Sequence, residues 1–289
     1  MMKNPDQHTI LVSGATGRQG GAVARHLLEQ GFHVRALTRN PDQEAAKDLA
    51  DRGVDIVEGN FDDRDSLDQA LDGVYGAFSV QNMITAGLDG EVRQGKAFAD
   101  AAADAGVEHF VYSSVGGAER DTGIPHFETK WEIEKHLRSL ELPATILRPV
   151  FFMNNWLRFK DAILGGQLPQ PLSPDTKLQQ IAVDDIGAFA NLAFSDPDEW
   201  IGEAIEIAGD ELTMNETART FGRALNREVT YKQLPWDAFE DQAGEEMTIM
   251  YQWFENEGYE ADIKGLREVH PDLKNLRSFI PTADFNAAK

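Results

Sequence analysis

No stretch limits what this chain can become as much as Thr9-Ile10-Leu11-Val12-Ser13-Gly14-Ala15-Thr16-Gly17-Arg18-Gln19-Gly20. An apolar, β-branched run ends in a glycine-spaced turn, and Val23, Ala24, Leu27 and Leu28 then recur at helical spacing. The pattern predicts a strand, a tight turn and a helix. Gly14 can take the backbone angle that the turn needs, and Gly17 lets a ligand approach the main chain. Gly20 or Gly21 lets the helix sit close to the strand. Open N–H groups at the helix start then attract a pyrophosphate. Glycines spaced in this way also occur in ordinary turns. Their place between a buried-type strand and an amphipathic helix is what points to a dinucleotide.

The alternation continues. Strands are predicted at 32–38, 54–57, 74–80, 107–113 and 144–147. Helices between them cover 41–51, a segment through Leu67, Ala70 and Leu71, then 91–105 and 127–140. This spacing gives an α/β protein with a doubly wound parallel sheet. The regularity fades past Pro149. Residues 165–171 read as a turn-rich link, followed by a strand at 179–183, a helix at 186–194 and a strand at 204–208. A helix at 213–225 and a short strand at 229–231 come next. From Pro235 the chain reads as mostly helical, with Trp236, Phe239, Tyr251, Trp253 and Phe254 as core aromatics. The division is a cofactor-binding part, 1–150, and a smaller, mainly helical C-terminal lobe, 151–289, with the sheet able to recruit part of 178–208. The lobe is expected over the C-terminal edge of the sheet, where ligands bind in such folds.

Composition excludes several classes. There is no cysteine, so no disulfide framework, thiol nucleophile or cysteine-based zinc site. The seven histidines are scattered, without a helical pair at ligand spacing, and no metal site is expected. Net charge is −22, from 27 basic and 49 acidic residues, and such a surface repels nucleic acid phosphates. Lysine is scarcer than arginine. The balance fits adaptation to high salt, and equally an ordinary acidic cytosolic protein. The polar start, 1–8, lacks the apolar stretch of a signal peptide, and no run is long enough to cross a bilayer. The expected place is the cytoplasm, away from membranes.

The end of the second predicted strand, Leu37-Thr38-Arg39-Asn40-Pro41, offers an arginine where NAD-specific folds offer an acid. A guanidinium suits a 2′-phosphate, so NADP(H) is favoured, with NAD(H) still possible. Asp62 or Asp63, after the third strand, can accept from the adenine amine or cap the next helix. Gln81 and Asn82 close the fourth strand at the same edge, and Ser113 and Ser114 the fifth. In His126-Phe127-Glu128-Thr129-Lys130, the four-residue spacing places His126 and Lys130 on one helix face. Short-chain dehydrogenases/reductases carry Tyr-x-x-x-Lys at this point, the tyrosine being the proton donor. Here His126 takes the tyrosine's place, and an imidazole can act as a general acid. No neighbouring substitute for the phenol is evident.

These motifs and Arg148-Pro149-Val150-Phe151-Phe152-Met153-Asn154 together resemble the NmrA-like group of atypical short-chain dehydrogenases/reductases. The resemblance runs from the first strand to the helices after Val183 and implies a Rossmann domain binding NADP(H), with the lobe forming a cleft. It implies that Gly14, Thr16, Gly17, Arg18, Gln19 and Gly20 hold the diphosphate and Arg39 the 2′-phosphate. Asp62 and Asp63 would lie near the adenine, Gln81 and Asn82 along the ribose, and Arg93 would reach the cofactor from the next helix. Lys130 matches the ribose-binding lysine, and Phe151, Phe152 and Asn154 would line the nicotinamide end. Members of this group divide between redox-sensing regulators, which act on a transcription-factor or enzyme partner, and NADPH-dependent quinone, dye or phenylpropanoid reductases. An intact cofactor site joined to an altered catalytic signature leans toward the sensor, with an NADPH-dependent reductase of a quinone-like or small carbonyl substrate as the alternative.

Overall fold

In the computed structural model, residues 5–285 are described. The polar N-terminal start therefore falls partly outside the described residues, at 1–4. The first strand, β1 (Thr9–Ser13), is followed by α1 (Arg18–Gln30), β2 (His33–Thr38), α2 (Glu44–Asp51), β3 (Asp55–Glu58) and α3 (Arg64–Leu71). The chain then returns to the other side of β1 with β4 (Gly76–Ser79), the short α4 (Met83–Ala86), α5 (Leu88–Asp104), β5 (His109–Ser113), α6 (Pro125–Ser139) and β6 (Ala144–Pro149). The strands are parallel, and the order reverses between β1 and β4, where a doubly wound sheet opens a crevice. Ile10, Leu11 and Val12 of β1 are fully buried, because helices cover both faces of the sheet.

The second half begins with β7 (Phe151–Phe152), α7 (Lys160–Leu164), β8 (Gln167–Gln170), β9 (Lys177–Ile181), α8 (Val183–Ser195), α9 (Pro197–Trp200) and β10 (Ala204–Ile207). It ends with β11 (Asp210–Thr213), α10 (Met214–Leu225), β12 (Thr230–Gln233), α11 (Trp236–Ala243), α12 (Glu245–Asn256), α13 (Ile263–Val269) and α14 (Leu276–Phe279). The sheet order is β3-β2-β1-β4-β5-β6-β10, so β10 is its seventh strand, beside β6. Helix α8 packs on α1, with Gly187 so close that a Cβ there would lie 2.6 Å from the Ala22 carbonyl carbon. The segment read as a turn-rich link contains β8, which pairs with β12 in parallel; this corrects the sequence reading. Pro169 hid the strand, since proline has no N–H to give to a ladder and lowers any strand reading. β11 also escaped, because Asp210 and Glu211 are poor strand formers; it pairs with β9.

Three apolar clusters hold the layers. Val23, Leu27, Phe189 and Phe194 fill one face of the sheet, and Leu67, Phe98, Phe110 and Ile133 the other. The lobe has its own core around Phe151, Trp156, Phe221, Trp253 and Phe254, as expected of its aromatics. Each such side chain contributes about 2 kcal/mol by leaving water. Among the described residues no helix is long and apolar enough to cross a membrane.

Candidate functional site

The glycine turn lies at the reversal of strand order. Gly14 has φ +62°, in the left-handed region, and the Gly17 N–H donates to its carbonyl at 2.8 Å. A Cβ on Gly20 would come within 2.4 Å of the Gly14 carbonyl, so Gly20 rather than Gly21 brings α1 closest to the turn. Gly17 precedes α1 and no side chain caps it, leaving first-turn N–H groups open toward an anion. Two hydrogen bonds fix the walls. The Val80 N–H donates to Ser13 Oγ at 2.9 Å, and Ser113 Oγ donates to Gln19 Oε1 at 2.7 Å. These tie the end of β4 to β1 and the end of β5 to α1; Thr16, in the turn, is half-buried.

Arg18 and Arg39 are exposed at this edge and make no hydrogen bond or ion pair among the described residues. Most other arginines near carboxylates are engaged: Arg25 with Asp184, Arg35 with Asp55, Arg64 with Asp68. Two unpaired guanidiniums beside a bare helix end suit phosphate. The turn leading from β2 is held independently of Arg39, since Gln43 Nε2 and the Asn40 N–H both donate to Thr38 Oγ1.

Asp63 caps α3, accepting from the Ser66 N–H, while Asp62 does not cap. Asp62 accepts from Gln94 Nε2 at 2.8 Å and Arg93 Nε at 3.0 Å, and these bonds hold its carboxyl below its ordinary range. Arg93, expected to reach a cofactor, is thus joined to Asp62. Gln81 is buried with Nε2 on Ser79 Oγ and no partner for Oε1 among the described residues. Asn82 caps α4. Phe151 packs on Trp156 and Phe254 in the lobe core, Phe152 is half-buried, and Asn154 Oδ1 accepts from the Val183 N–H.

His126 and Lys130 both lie on α6, one turn apart, and each polar end meets a carboxylate. Lys130 Nζ donates to Glu91 Oε1 at 2.6 Å, and Thr129 Oγ1 donates to the other oxygen of Glu91 at 2.5 Å. Glu91, on α5, is buried. His126 Nδ1 lies 2.7 Å from Glu246 Oε1, on α12 of the lobe. Behind α6, Arg148 makes a two-pronged contact with fully buried Glu134, which also accepts from Ser114 Oγ. Burial opposes the Arg148 charge, but Glu134, Glu119 and Glu206 outweigh it and raise its pKa. Burial, with Glu91 and Glu134, pushes the Tyr112 phenol, which has no hydrogen-bond partner among the described residues, well above its ordinary range, so it stays protonated.

Glu91, Glu134 and Glu246 are the residues that sequence reasoning missed. Nothing in the sequence marks them, because each carboxylate meets its partner only through packing of separate helices.

A parallel doubly wound sheet with a glycine turn at its point of reversal defines a Rossmann-type protein with an appended lobe. The sequence pattern of the NmrA-like family matches residues 6–277, and the chain belongs to that family. Among its relatives is the NmrA-like family domain-containing oxidoreductase FrzB of Cladobotryum sp, 30% identical, with 80% of this chain and 78% of that one covered. Another is the nitrogen metabolite repression protein nmrA of Emericella nidulans, 30% identical, covering 78% and 68%. Two solved structures share the fold. The Citrobacter sp. triphenylmethane reductase complexed with NADP(H) matches with TM-score 0.82 and 22% identity over 95% and 99% of the chains. Nmra, a negative transcriptional regulator, in complex with NAD matches with TM-score 0.80 and 24% identity over 97% and 99%.

Proposed function

We propose that this chain binds NADP(H) along the crevice beside β1 and uses it as the reductant for a quinone-like or small carbonyl acceptor. The observation that carries the binding is the bare N-terminus of α1 behind the Gly14 turn, flanked by two unpaired guanidiniums in a strongly acidic chain. The diphosphate would lie on Gly14, Thr16, Gly17, Arg18, Gln19 and Gly20, and a 2′-phosphate on Arg39, which gives NADP(H) preference over NAD(H). The adenosine part would pass Asp62, Asp63 and Arg93, then Gln81 and Asn82. The nicotinamide would point to Lys130, Phe152 and the 151–154 segment, under the lobe. When bound, the dinucleotide supplies a hydride. Reduction is favoured by relatives that carry oxidoreductase names, such as FrzB.

A second reading, a redox-sensing regulator acting on a protein partner, is favoured by Lys130, whose ammonium is taken up by Glu91 rather than left free. The relative named as a repression protein points the same way. One experiment separates the two. Titration with NADP+, NADPH, NAD+ and NADH is paired with anaerobic NADPH oxidation over a panel of quinones, aldehydes and dyes. Saturable oxidation with one acceptor class establishes the reductase. Tight binding without turnover, with unequal affinity for the oxidised and reduced forms, establishes the sensor. No dinucleotide binding overturns both.

A further inference from the structure

We propose that Glu246 is the positioning residue for a proton donor at His126, so that an imidazole oriented from the lobe does the work a phenol does elsewhere; this rests on the reductase reading above. The two side chains are 120 residues apart in sequence yet meet at 2.7 Å. A carboxylate only accepts, so the Nδ1 of His126 carries a hydrogen and Nε2 is the working nitrogen. Nε2 makes no hydrogen bond among the described residues. The ring plane is fixed as well: it stands edge-on to Phe127, 5.0 Å between centroids at 85°, and Phe127 in turn rests against Trp253 of α12. Tautomer and orientation are thus both set, which is what a carboxylate behind an imidazole accomplishes in acid–base catalysis.

Among the described residues, Glu246 is the one charged side chain in hydrogen-bond contact with the ring. On α6, Lys130 is bound to Glu91 of α5, and Glu128 accepts from Thr122 Oγ1 and the Gly123 N–H. On the loop after β5, Arg120 pairs with Glu206. At the start of α12, Glu245 is exposed. A bound reduced nicotinamide would supply the hydride, with its two electrons, for the acceptor's carbonyl group. The chain supplies the proton. From the doubly protonated ring, the Nε2–H bond would break as the O–H bond of the product forms, leaving the neutral Nδ1–H tautomer hydrogen-bonded to Glu246, and solvent would return a proton to Nε2.

The test compares the wild type with E246Q, E246D, H126Q and the double variant E246Q/H126Q, each checked by its melting curve. Rates of NADPH oxidation are measured from pH 5 to 9 with a 1,4-benzoquinone and a small aldehyde, and the His126 tautomer is read by 15N NMR without acceptor. E246Q should lower kcat about 100-fold while the KM for NADPH stays within about twofold. E246D should recover much of the rate, and the double variant should be no worse than H126Q alone, as members of one unit are not additive. In its neutral form the wild-type ring should be the Nδ1–H tautomer. Turnover in which E246Q keeps its kcat overturns the proposal and leaves the pair as a tie between α6 and α12. An Nε2–H tautomer in the wild type also overturns it. No NADPH oxidation by the wild type with either acceptor overturns the reductase reading, and the proposal falls with it.

Discussion

Arg39 stands at the end of β2 with its guanidinium exposed and unengaged, while Gln43 and Asn40 hold the turn through Thr38. Removing the guanidinium should therefore leave the fold alone and act on a phosphate. Arg39→Ala is expected to weaken NADPH binding about tenfold or more, the worth of a charge-assisted bond to a phosphate, and to change NADH binding by less than twofold. Calorimetric titration of both cofactors checks this; equal losses would remove Arg39 from the 2′-phosphate. The glycine turn and Arg39 were legible in the sequence because their chemistry is local, a backbone angle and a side chain at a strand end. The partners of His126 and Lys130 were not. Glu246 and Glu91 are one glutamate among many in an acidic chain, and only packing of α12 and α5 against α6 selects them.

At the scale of elements, the packing of α1 on α8 decides how the turn is held. Gly187 lets α8 approach until a Cβ would meet the Ala22 carbonyl carbon at 2.6 Å and its oxygen at 2.7 Å. Gly187→Ala must push the helices apart or bend one, and should cost about 1–3 kcal/mol in urea unfolding. An unchanged midpoint would mean that the contact has room to spare. The same pair is tied electrostatically, since Asp184 of α8 accepts from His26 of α1 and from Lys274, and lies against Arg25. Those bonds hold its carboxyl far below the ordinary range. Most strands and helices up to β6 could be read from the sequence, because the inner strands are apolar runs covered on both sides and the longer helices each bury one apolar face against the sheet. Past Pro149 that signal weakens: Gln167–Gln170 and Asp210–Thr213 are strands made by their partners rather than by their composition.

For the whole molecule, stability should depend on pH and salt in directions that can be stated. His109 of β5 is buried, and burial lowers its pKa from 6.5 to about 4. Its Nε2 is 2.8 Å from Thr145 Oγ1, which itself donates to the Trp200 carbonyl, so the neutral ring suits the site. The unfolded chain binds the proton first, so folding stability falls as pH drops from about 6.5 toward 4, by up to about 3 kcal/mol. Urea unfolding across that window should show the slope, and His109→Gln should flatten its upper part; a wild-type curve already flat from pH 7 to 5 would contradict it. With a net charge of −22, self-repulsion should ease as salt screens it, and the melting temperature should rise from low to molar potassium chloride. A melting temperature that does not rise would exclude adaptation of this surface to high salt.

The seventh strand has a consequence for how the chain is made. β6 is synthesised with one edge of the sheet bare, and the strand that covers it, Ala204–Ile207, follows only after β7, β8, β9 and α8. During synthesis, a nascent chain ending before residue 204 presents β6 as an open template for any extended segment nearby. Ribosome-bound chains should accordingly resist proteolysis in β6 only once 204–207 has left the exit tunnel. The last strand of this sheet to arrive would then be the step that takes β6 out of the exposed edge.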